Sequence, residues 1–294
     1  MAETRRVAPL HLYRAGSLVA RGLPGRFGEA FAAGAGVIAG RVAARRRATI
    51  TGHLQRIEGG PVDRRTVDRA FASYGRYWLE AFRLPSVAVD DLELAMSYEG
   101  IGNIEEGRAL GRGVLLAMPH IGAWDWGGAW LAASGFPLTV VAEVLEPVEL
   151  ADWFTSWRRR VGMTVVPLDQ HAASGVFAAL RRGDVVGLLC DRDLTGDGIE
   201  VTFFGERTRM PAGPATIALR TGAPLMPCCV IFEGDHHRGI VLPPLDTARR
   251  GSLRDDVARV TQEMADALAG LIRRAPEQWH VFQPNWPSDR GTGR

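Results

Sequence analysis

The chain contains 294 residues, of which 46% are hydrophobic and 23% charged, and its formal net charge is +2. This length suits one large domain or two small ones, and the composition is that of an ordinary globular protein with a substantial core. A net charge this close to zero gives no indication of a nucleic-acid partner.

All 35 side chains that carry a permanent positive charge are arginines. They cluster at residues 45–47, 158–160, 181–182 and 273–274. The planar guanidinium group suits phosphates and anionic head groups, whereas the ordinary alternative for a charge run is a solvated helix face, which we favour for the last two clusters. The absence of lysine indicates a coding bias, so part of this enrichment has no functional meaning.

Cys190, Cys228 and Cys229 lie in apolar, strand-like runs without the spacing of metal ligands. We therefore expect reduced core cysteines of a cytosolic protein, with neither a disulfide framework nor a zinc site. The small apolar stretch at residues 30–40 is about half as long as a bilayer crossing, so no membrane span is predicted. Arg5 and Arg6 precede no sustained hydrophobic segment, and we expect no secretion signal.

Residues 9–57 have a helical composition that breaks at residues 22–24, which predicts two or three helices. Their apolar side chains are Leu10, Leu12, Leu18, Val19, Leu23 and Phe27, and their basic ones include Arg14, Arg21, Arg26 and residues 45–47. Such helices either lie on a membrane surface and meet anionic lipid, or cover a sheet. The sequence leaves both interpretations open.

From residue 67 onwards, predicted helices alternate with short strands. The predicted helices cover residues 67–84, 103–110, 123–133, 151–161, 175–182, 213–220 and 255–274. The predicted strands cover residues 96–98, 114–118, 138–142, 164–167, 185–190, 201–204, 225–232 and 240–242. This alternation predicts an α/β fold in which a largely parallel central sheet is flanked by helices on both faces, with an N-terminal helical, membrane-facing segment. Residues 288–294 are expected to form a polar tail.

His120 follows the predicted strand at residues 114–118, and Asp125 lies five residues later in the first turn of a predicted helix. A carboxylate there can accept a hydrogen bond from the ring Nδ1 and leave Nε2 free to take a proton. We therefore expect His120 to be a general base that Asp125 orients. By itself this spacing is weak, because a core histidine beside a helix-capping aspartate would look the same.

Other classes of function are less well supported by the sequence. A Gly-x-Ser-x-Gly elbow is missing and Cys190 lies in an apolar strand, so an acyl-enzyme hydrolase would have no nucleophile. Asp235, His236 and His237 could bind a metal, but they are predicted to form a solvated hairpin turn. A non-catalytic lipid-binding module remains an alternative, although it would not need His120 with Asp125.

Further segments at residues 188–194, 198–205, 210–227 and 275–286 accompany the His120 stretch. Together they resemble the bacterial lysophospholipid acyltransferase superfamily, and within it the branch of lipid A late acyltransferases and actinobacterial phosphatidylinositol mannoside acyltransferases. The resemblance runs from about Tyr74 to Trp286. Residues 74–85, 191–195, 203–214 and 279–284 are more similar to the mannoside enzymes than to the lipid A enzymes.

The resemblance implies roles for six residues. His120, Asp125 and Asp191 fall on the catalytic positions of the family, while Arg158, Asp197 and Arg220 fall on positions that hold acyl-CoA. Arg159 or Arg160 could replace Arg158 if the helix were rotated, and Asp197 and Arg220 match the family in position rather than in residue type. Asp191 replaces a glutamate, so we expect an indirect, water-bridged or structural role for the shorter side chain.

The implied activity is transfer of a long acyl chain, palmitoyl in our expectation, from acyl-CoA to a hydroxyl of a mannosylated phosphatidylinositol, with neither cofactor nor metal. A lipid A-type or other lysophospholipid acyltransferase is the alternative. Backbone N–H groups at residues 121–124 would bind the oxyanion. Trp124, Trp126 and Trp130 would line an acyl tunnel or pack in the core. We expect one acyltransferase domain over residues 1–287, with N-terminal helices at residues 1–60, located peripherally on the cytoplasmic face of the plasma membrane.

Overall fold

A computed structural model describes Tyr13, residues 15–23 and residues 25–291. Leu10, Leu12 and Arg14 of the predicted membrane-facing surface, and residues 292–294 of the predicted tail, lie outside the described residues. No helix of the described part is both long enough and apolar enough to cross a membrane.

Seven strands form the central sheet in the order β1-β9-β8-β2-β5-β3-β4. They are β1 (Met96–Glu99), β2 (Val114–Met118), β3 (Leu138–Ala142), β4 (Thr164–Pro167), β5 (Val185–Leu189), β8 (Leu225–Glu233) and β9 (His236–Val241). All neighbouring pairs are parallel except β8 and β9, which form an antiparallel hairpin. A separate antiparallel hairpin consists of β6 (Ile199–Phe203) and β7 (Glu206–Met210). The predicted, largely parallel α/β sheet is therefore confirmed.

Helices cover both faces of the sheet. Residues 15–22 are helical and form α1. The later helices are α2 (Gly25–Val42), α3 (Ala44–Glu58), α4 (Arg64–Arg83), α5 (Val89–Leu94), α6 (Gly102–Ala109), α7 (Trp124–Ala133), α8 (Val148–Arg160), α9 (Ala172–Arg181), α10 (Gly213–Thr221) and α11 (Leu253–Ile272). Leu115 and Ala117 of β2 pack in the core beneath α9, α10 and α11, whereas Leu116 packs beneath α7 on the opposite face. This alternation follows from the period of two in a strand.

Helix α2 packs against α4 rather than against the sheet, and glycines set the distance between these two helices. A Cβ atom at Gly36 would lie 2.2 Å from the carbonyl oxygen of Phe71, and one at Gly75 would lie 2.2 Å from that of Ala32. Only glycine permits backbones to approach this closely. Six of the large hydrophobic side chains that are exposed belong to α1 and α2, namely Leu18, Val19, Phe27, Phe31, Ile38 and Val42. The N-terminal helices thus cover α4 and present an apolar outer surface.

Several details differ from the expectations drawn from the sequence. Strand β7 was not predicted, because its polar residues Glu206, Arg207 and Arg209 hide the alternation with buried Thr208 and Met210. The interpretation of His237 as part of a solvated turn is wrong, as described below. Residues 287–291 form a 3-10 helix that includes the first residues of the expected polar tail.

Part of the predicted tail is bound to α3. The Ser288 hydroxyl accepts a hydrogen bond of 2.6 Å from Arg56, and Oδ2 of Asp289 lies 3.0 Å from Nε2 of the buried His53 ring. Burial alone would raise the pKa of Asp289, but hydrogen bonds from His53 and from two backbone N–H groups lower it strongly. These contacts fix the C-terminal segment against the N-terminal helices.

Candidate active site

His120 lies two residues beyond the end of β2, in the turn that leads into α7. The strand that precedes it is fully buried except at Met118, and the neighbouring strands β5 and β8 hold it in the middle of the sheet. In open parallel sheets, residues beyond the carboxyl ends of the strands form the ligand-binding crevice. The His120 side chain is 21% exposed and lines a cavity at this end of the sheet.

The ring of His120 is held by Asp191. Its Nδ1 lies 2.6 Å from Asp191 Oδ1, and its backbone N–H donates to Asp191 Oδ2 over 2.8 Å. Met118 of β2 pairs with Leu189 of β5, and these are the last residues of the two strands. His120 and Asp191 each lie two residues further along the chain. Adjacent parallel strands therefore bring together two residues that are far apart in sequence.

Two expectations from the sequence are consequently wrong. Asp125 does not orient the His120 ring, because Asp191 occupies that position. Asp191 is not limited to an indirect contact, since its carboxylate reaches the ring directly. The shorter aspartate suffices because the register of β2 and β5 places its backbone beside that of His120.

The carboxylate of Asp191 is fully buried and accepts three hydrogen bonds. Besides the two from His120, the indole N–H of Trp279 donates to Oδ2 over 2.7 Å. Burial alone would raise the pKa of Asp191, but the neighbouring His120 ring and these hydrogen bonds lower it below its usual range. An ionised carboxylate only accepts, so Nδ1 of His120 carries a proton and Nε2 of the neutral ring keeps its lone pair. Within the described chain, Nε2 makes no hydrogen bond, and the residue lines the cavity.

Asp125 belongs to a second cluster beside the first. Its Oδ2 accepts a hydrogen bond of 2.8 Å from the hydroxyl of Tyr77, and its Oδ1 one of 3.2 Å from Nε of Arg158. The three side chains are largely buried, and burial together with the charge of Asp125 raises the pKa of Tyr77 well above its ordinary value. Asp125 thus links α7 to α4 and α8 at the edge of the cavity.

The C-terminal residues 278–280 hold the His120 turn in place, and the sequence analysis did not anticipate this. The backbone N–H of His280 donates to the carbonyl of His120 over 2.7 Å, and the N–H of Gly122 donates to the carbonyl of Gln278 over 3.0 Å. Trp279 supplies the indole hydrogen bond to Asp191. The backbones also pair between Ile121 and Trp279. The similarity of residues 275–286 to the family was the only sequence signal for this segment.

The ring of His280 is buried beside this turn and accommodates no charge. Its Nε2 lies 2.9 Å from the hydroxyl of Ser73, while its Nδ1 has no partner among the described residues. Burial, helped by the nearby His120, lowers the pKa of His280 to about 3. The ring is therefore neutral at physiological pH.

A cavity of about 560 Å³ extends from the surface near Leu168 and Leu194 past His120 into the protein. Its inner wall is formed by buried apolar side chains, including Leu116, Trp130, Leu131, Leu138 and Met163. Gly187 of β5 lies between Leu116 and Val140 of the adjacent strands, so no side chain fills the middle of the sheet there. The volume falls within the ~300–1,000 Å³ range of ligand pockets. This cavity can take an extended apolar chain whose end lies beside His120.

The three residues expected to hold acyl-CoA are placed differently from one another. Arg158 lines the cavity but is paired with Asp125. Asp197 is exposed in the loop after β5, where it accepts a hydrogen bond from the Thr195 hydroxyl. Arg220 is exposed near the C-terminal end of α10, whereas that helix contributes only residues from its N-terminal part, such as Gly213 and Ile217, to the cavity wall. The structure thus brings Arg158 to His120, and leaves Asp197 and Arg220 outside the cavity lining.

Most N–H groups of the His120 turn are already used. Those of Ile121, Gly122 and Ala123 donate to the carbonyls of Pro119, Gln278 and Val230. Of the four N–H groups expected to bind an oxyanion, only that of Trp124 remains, because it is the first of a helix and has no intrahelical acceptor.

The tryptophans of α7 take different places. Trp124 and Trp130 line the cavity. Trp126 instead stacks on the ring of His237, with ring centroids 4.4 Å apart. His237 is buried and lies 2.7 Å from Glu80, so it belongs to the core and not to a solvated turn.

Comparison with known proteins places the chain in a family. The sequence profile of the family described as bacterial lipid A biosynthesis acyltransferase matches residues 3–288. The chain belongs to this family. The resemblance inferred from residues 74–286 is therefore confirmed.

Individual relatives point to one branch of the family. The phosphatidylinositol mannoside acyltransferase of Mycolicibacterium smegmatis is 38% identical over 285 residues, which cover 94% of this chain and 91% of that protein. The protein of the same name from Mycobacterium tuberculosis is 41% identical over 227 residues, covering 76% and 70%. The lipid A biosynthesis acyltransferase of Haemophilus influenzae is 23% identical over 217 residues, covering 72% and 66%.

Proposed function

We propose that this protein transfers a long fatty acyl chain, palmitoyl in our expectation, from acyl-CoA to a hydroxyl of a mannosylated phosphatidylinositol. The observation that carries the proposal is the largely apolar cavity that passes His120, whose ring lines the cavity and is anchored through Nδ1 by Asp191. A non-catalytic lipid-binding protein would need the cavity but not an anchored imidazole with a free nitrogen.

In the proposed reaction, Nε2 of His120 takes the proton from the acceptor hydroxyl as its oxygen attacks the thioester carbonyl. The resulting tetrahedral oxyanion collapses, the carbon–sulfur bond breaks, and His120 returns the proton to the departing thiolate of coenzyme A. Asp191 keeps Nδ1 protonated and stabilises the imidazolium that forms transiently. The acyl group passes directly from sulfur to oxygen, so neither a covalent enzyme intermediate nor a cofactor is needed.

The N-terminus of α7 supports this reaction electrostatically. The N–H of Trp124 has no acceptor within its helix, and the positive end of the helix dipole lies beside His120. A developing oxyanion at the cavity mouth would be stabilised by this N–H and dipole. We therefore assign oxyanion binding to the start of α7 rather than to residues 121–123.

The relatives support the proposed acceptor class. Two mycobacterial proteins that match most of this chain are phosphatidylinositol mannoside acyltransferases, whereas the lipid A enzyme is a more distant relative. The glycolipid acceptor, the acyl-CoA donor and the roles of Arg158, Asp197 and Arg220 in donor binding are part of this proposal. Arg158 would bind a coenzyme phosphate while keeping its contact with Asp125, because a guanidinium group can contact two anions at once.

We further propose that the protein works peripherally on the cytoplasmic face of the plasma membrane. The exposed side chains of Phe27, Phe31, Ile38 and Val42 form an apolar surface on α2, and Arg26 and Arg41 lie beside it. Apolar and basic residues on neighbouring helices are typical of segments that bind anionic membrane surfaces. Such a surface would give the site access to a lipid acceptor.

The test is incubation of the purified protein with radiolabelled palmitoyl-CoA and, separately, with phosphatidylinositol mannoside or a lipid A precursor. We expect label in the mannoside only. Label in the lipid A precursor alone would overturn the choice of acceptor. Label in neither lipid, with bound but unreacted acyl-CoA, would favour a lipid-binding module.

A further inference from the structure

Two arginines line the cavity, and they differ in how their charges are balanced. Arg158 forms an ion pair with Asp125. Arg192 is half-buried, and over residues 13, 15–23 and 25–291 it has neither an ion pair nor a hydrogen bond. A partly desolvated charge without an opposite charge is costly unless a ligand compensates it. Of the two arginines in the described cavity wall, Arg192 is thus the one without a paired carboxylate.

The acidic neighbour of Arg192 does not offset this charge. Asp193 directs its carboxylate into its own loop, where Oδ1 accepts from the N–H groups of Thr195 and Gly196, and Oδ2 accepts from that of Gly198 over 3.0 Å. Burial alone would raise the pKa of Asp193, but these hydrogen bonds have the larger effect and lower it. The carboxylate is therefore ionised and bound to its own loop. Although Asp193 also lines the cavity, its oxygens are engaged by these backbone N–H groups and form no ion pair with Arg192 among the described residues.

The backbone of Arg192 is fixed close to His120. It directly follows Asp191, whose carboxylate lies 2.6 Å from the His120 ring and whose carbonyl accepts a hydrogen bond of 3.2 Å from Asn285. Both Arg192 and His120 line the same cavity. Arg192 and His120 therefore border the same ligand-binding space.

We propose that Arg192 binds a phosphate group of a substrate at the mouth of the cavity. A phosphate can accept two parallel hydrogen bonds from a guanidinium group, and the half-buried setting strengthens this pairing. The inference rests on the proposed function, in which both substrates carry phosphate: the coenzyme A part of the donor and the phosphodiester of the acceptor lipid.

The charge of Arg192 also acts on Tyr74 of α4. Burial raises the pKa of Tyr74, while the positive charges of Arg46 and Arg192 both act to lower it. Tyr74 also lines a second, apolar cavity of about 360 Å³ between α2 and α4.

Equilibrium binding tests this proposal without requiring turnover. Arg192→Gln is compared with the wild type for S-hexadecyl-CoA, which cannot transfer its chain, and for its phosphate-free analogue S-hexadecyl-N-acetylcysteamine. The same comparison uses phosphatidylinositol mannoside and a mannosyl diacylglycerol that lacks phosphate. A lost charge-assisted contact should raise Kd by about 10- to 100-fold for the phosphate-bearing member of one pair only. Arg192→Lys should fall between the two proteins.

Arg207→Gln is the matched control, because it removes the same charge from an exposed position on β7, where the side chain is 79% accessible. Its Kd values should equal those of the wild type. A raised Kd for S-hexadecyl-CoA identifies the coenzyme as the source of the phosphate, and a raised Kd for the mannoside identifies the acceptor. The proposal is overturned if Arg192→Gln raises Kd equally for a phosphate-bearing compound and its phosphate-free analogue, or leaves every Kd unchanged. Failure of the wild type to transfer acyl groups, with Kd still dependent on Arg192, would overturn the proposed function alone.

Discussion

Asp191→Asn tests the origin of the basicity at His120. Two donors, the N–H of His120 and the indole of Trp279, converge on Asp191 Oδ2, so the single oxygen of an asparagine would take that place. Its amide NH2 would then face Nδ1 of His120, which lies 2.6 Å from the other carboxylate oxygen. Facing a donor, Nδ1 has to accept, and the ring proton moves to Nε2. The variant would keep its shape but hold the wrong tautomer.

The expected loss in kcat is about 10⁴-fold, the effect of the same exchange in a hydrolase triad, which corresponds to about 5 kcal/mol of transition-state stabilisation. Initial rates with radiolabelled palmitoyl-CoA at saturating acceptor measure it, and the donor KM should change little because Asp191 does not line the cavity. Asp125→Asn is the contrasting variant. It leaves the contact between His120 and Asp191 intact and should lower kcat by no more than about tenfold, the worth of one hydrogen bond. Asp191→Asn with a kcat within tenfold of the wild type would refute the tautomer argument.

Three further predictions concern stability and selectivity. Because burial lowers the pKa of His280 from 6.5 to about 3, below pH 6.5 the unfolded chain binds a proton that the folded chain does not. The free energy of unfolding should therefore fall by about 2 kcal/mol between about pH 7.5 and about pH 5 on account of this group. Urea unfolding of His280→Gln should show a pH dependence weaker by that amount, and an unchanged dependence would contradict the assignment. Gly187→Val should fill the middle of the cavity, and in a competition between acyl-CoAs it should lower the transfer of long acyl groups relative to short ones. An unaltered dependence on acyl length would mean that the acyl group binds elsewhere. Gly36→Ala should destabilise the protein by about 1–3 kcal/mol in thermal unfolding, because its Cβ would overlap the Phe71 carbonyl. Gly34→Ala in the same helix should instead stabilise it by about 0.5–1 kcal/mol, because its Cβ meets open space. Equal effects of the two substitutions would show that α2 and α4 do not pack as closely as described.

The sheet could be predicted from the sequence because short apolar runs bounded by glycine and proline predict buried strands. Val114–Met118 and Val185–Leu189 are such runs, and both are strands of the sheet. The residues that follow them were therefore identifiable as candidates, since they lie at the carboxyl ends of strands. The family resemblance added Asp191 to the list of these candidates.

The pairing of His120 with Asp191 could not be predicted in the same way. It depends on β2 and β5 being neighbours, and sequence order alone favours closer partners such as Asp125. A local spacing of five residues suggested a contact that the direction of α7 does not allow, because Asp125 faces Tyr77 and Arg158 instead. Strand order is a property of long-range packing, and local patterns do not contain it.

The contribution of the C-terminal segment has a similar origin. Trp279 and His280 lie far from the His120 turn in sequence, and a short backbone pairing with Ile121 brings them to it. An apolar residue followed by a histidine has no distinctive periodicity from which this role could be inferred. Only the three-dimensional arrangement shows that Trp279 donates to Asp191 and that His280 donates to the His120 carbonyl.

Single-turnover acyl transfer by His120→Ala, alongside binding of S-hexadecyl-CoA, tests the central claim most directly. The account predicts that the variant binds the analogue with the Kd of the wild type, because the apolar wall of the cavity is unchanged. It also predicts that the rate of transfer from radiolabelled palmitoyl-CoA to phosphatidylinositol mannoside falls by at least about 10³-fold, as expected when a general base is removed. Transfer at the wild-type rate by a folded His120→Ala protein would contradict the account.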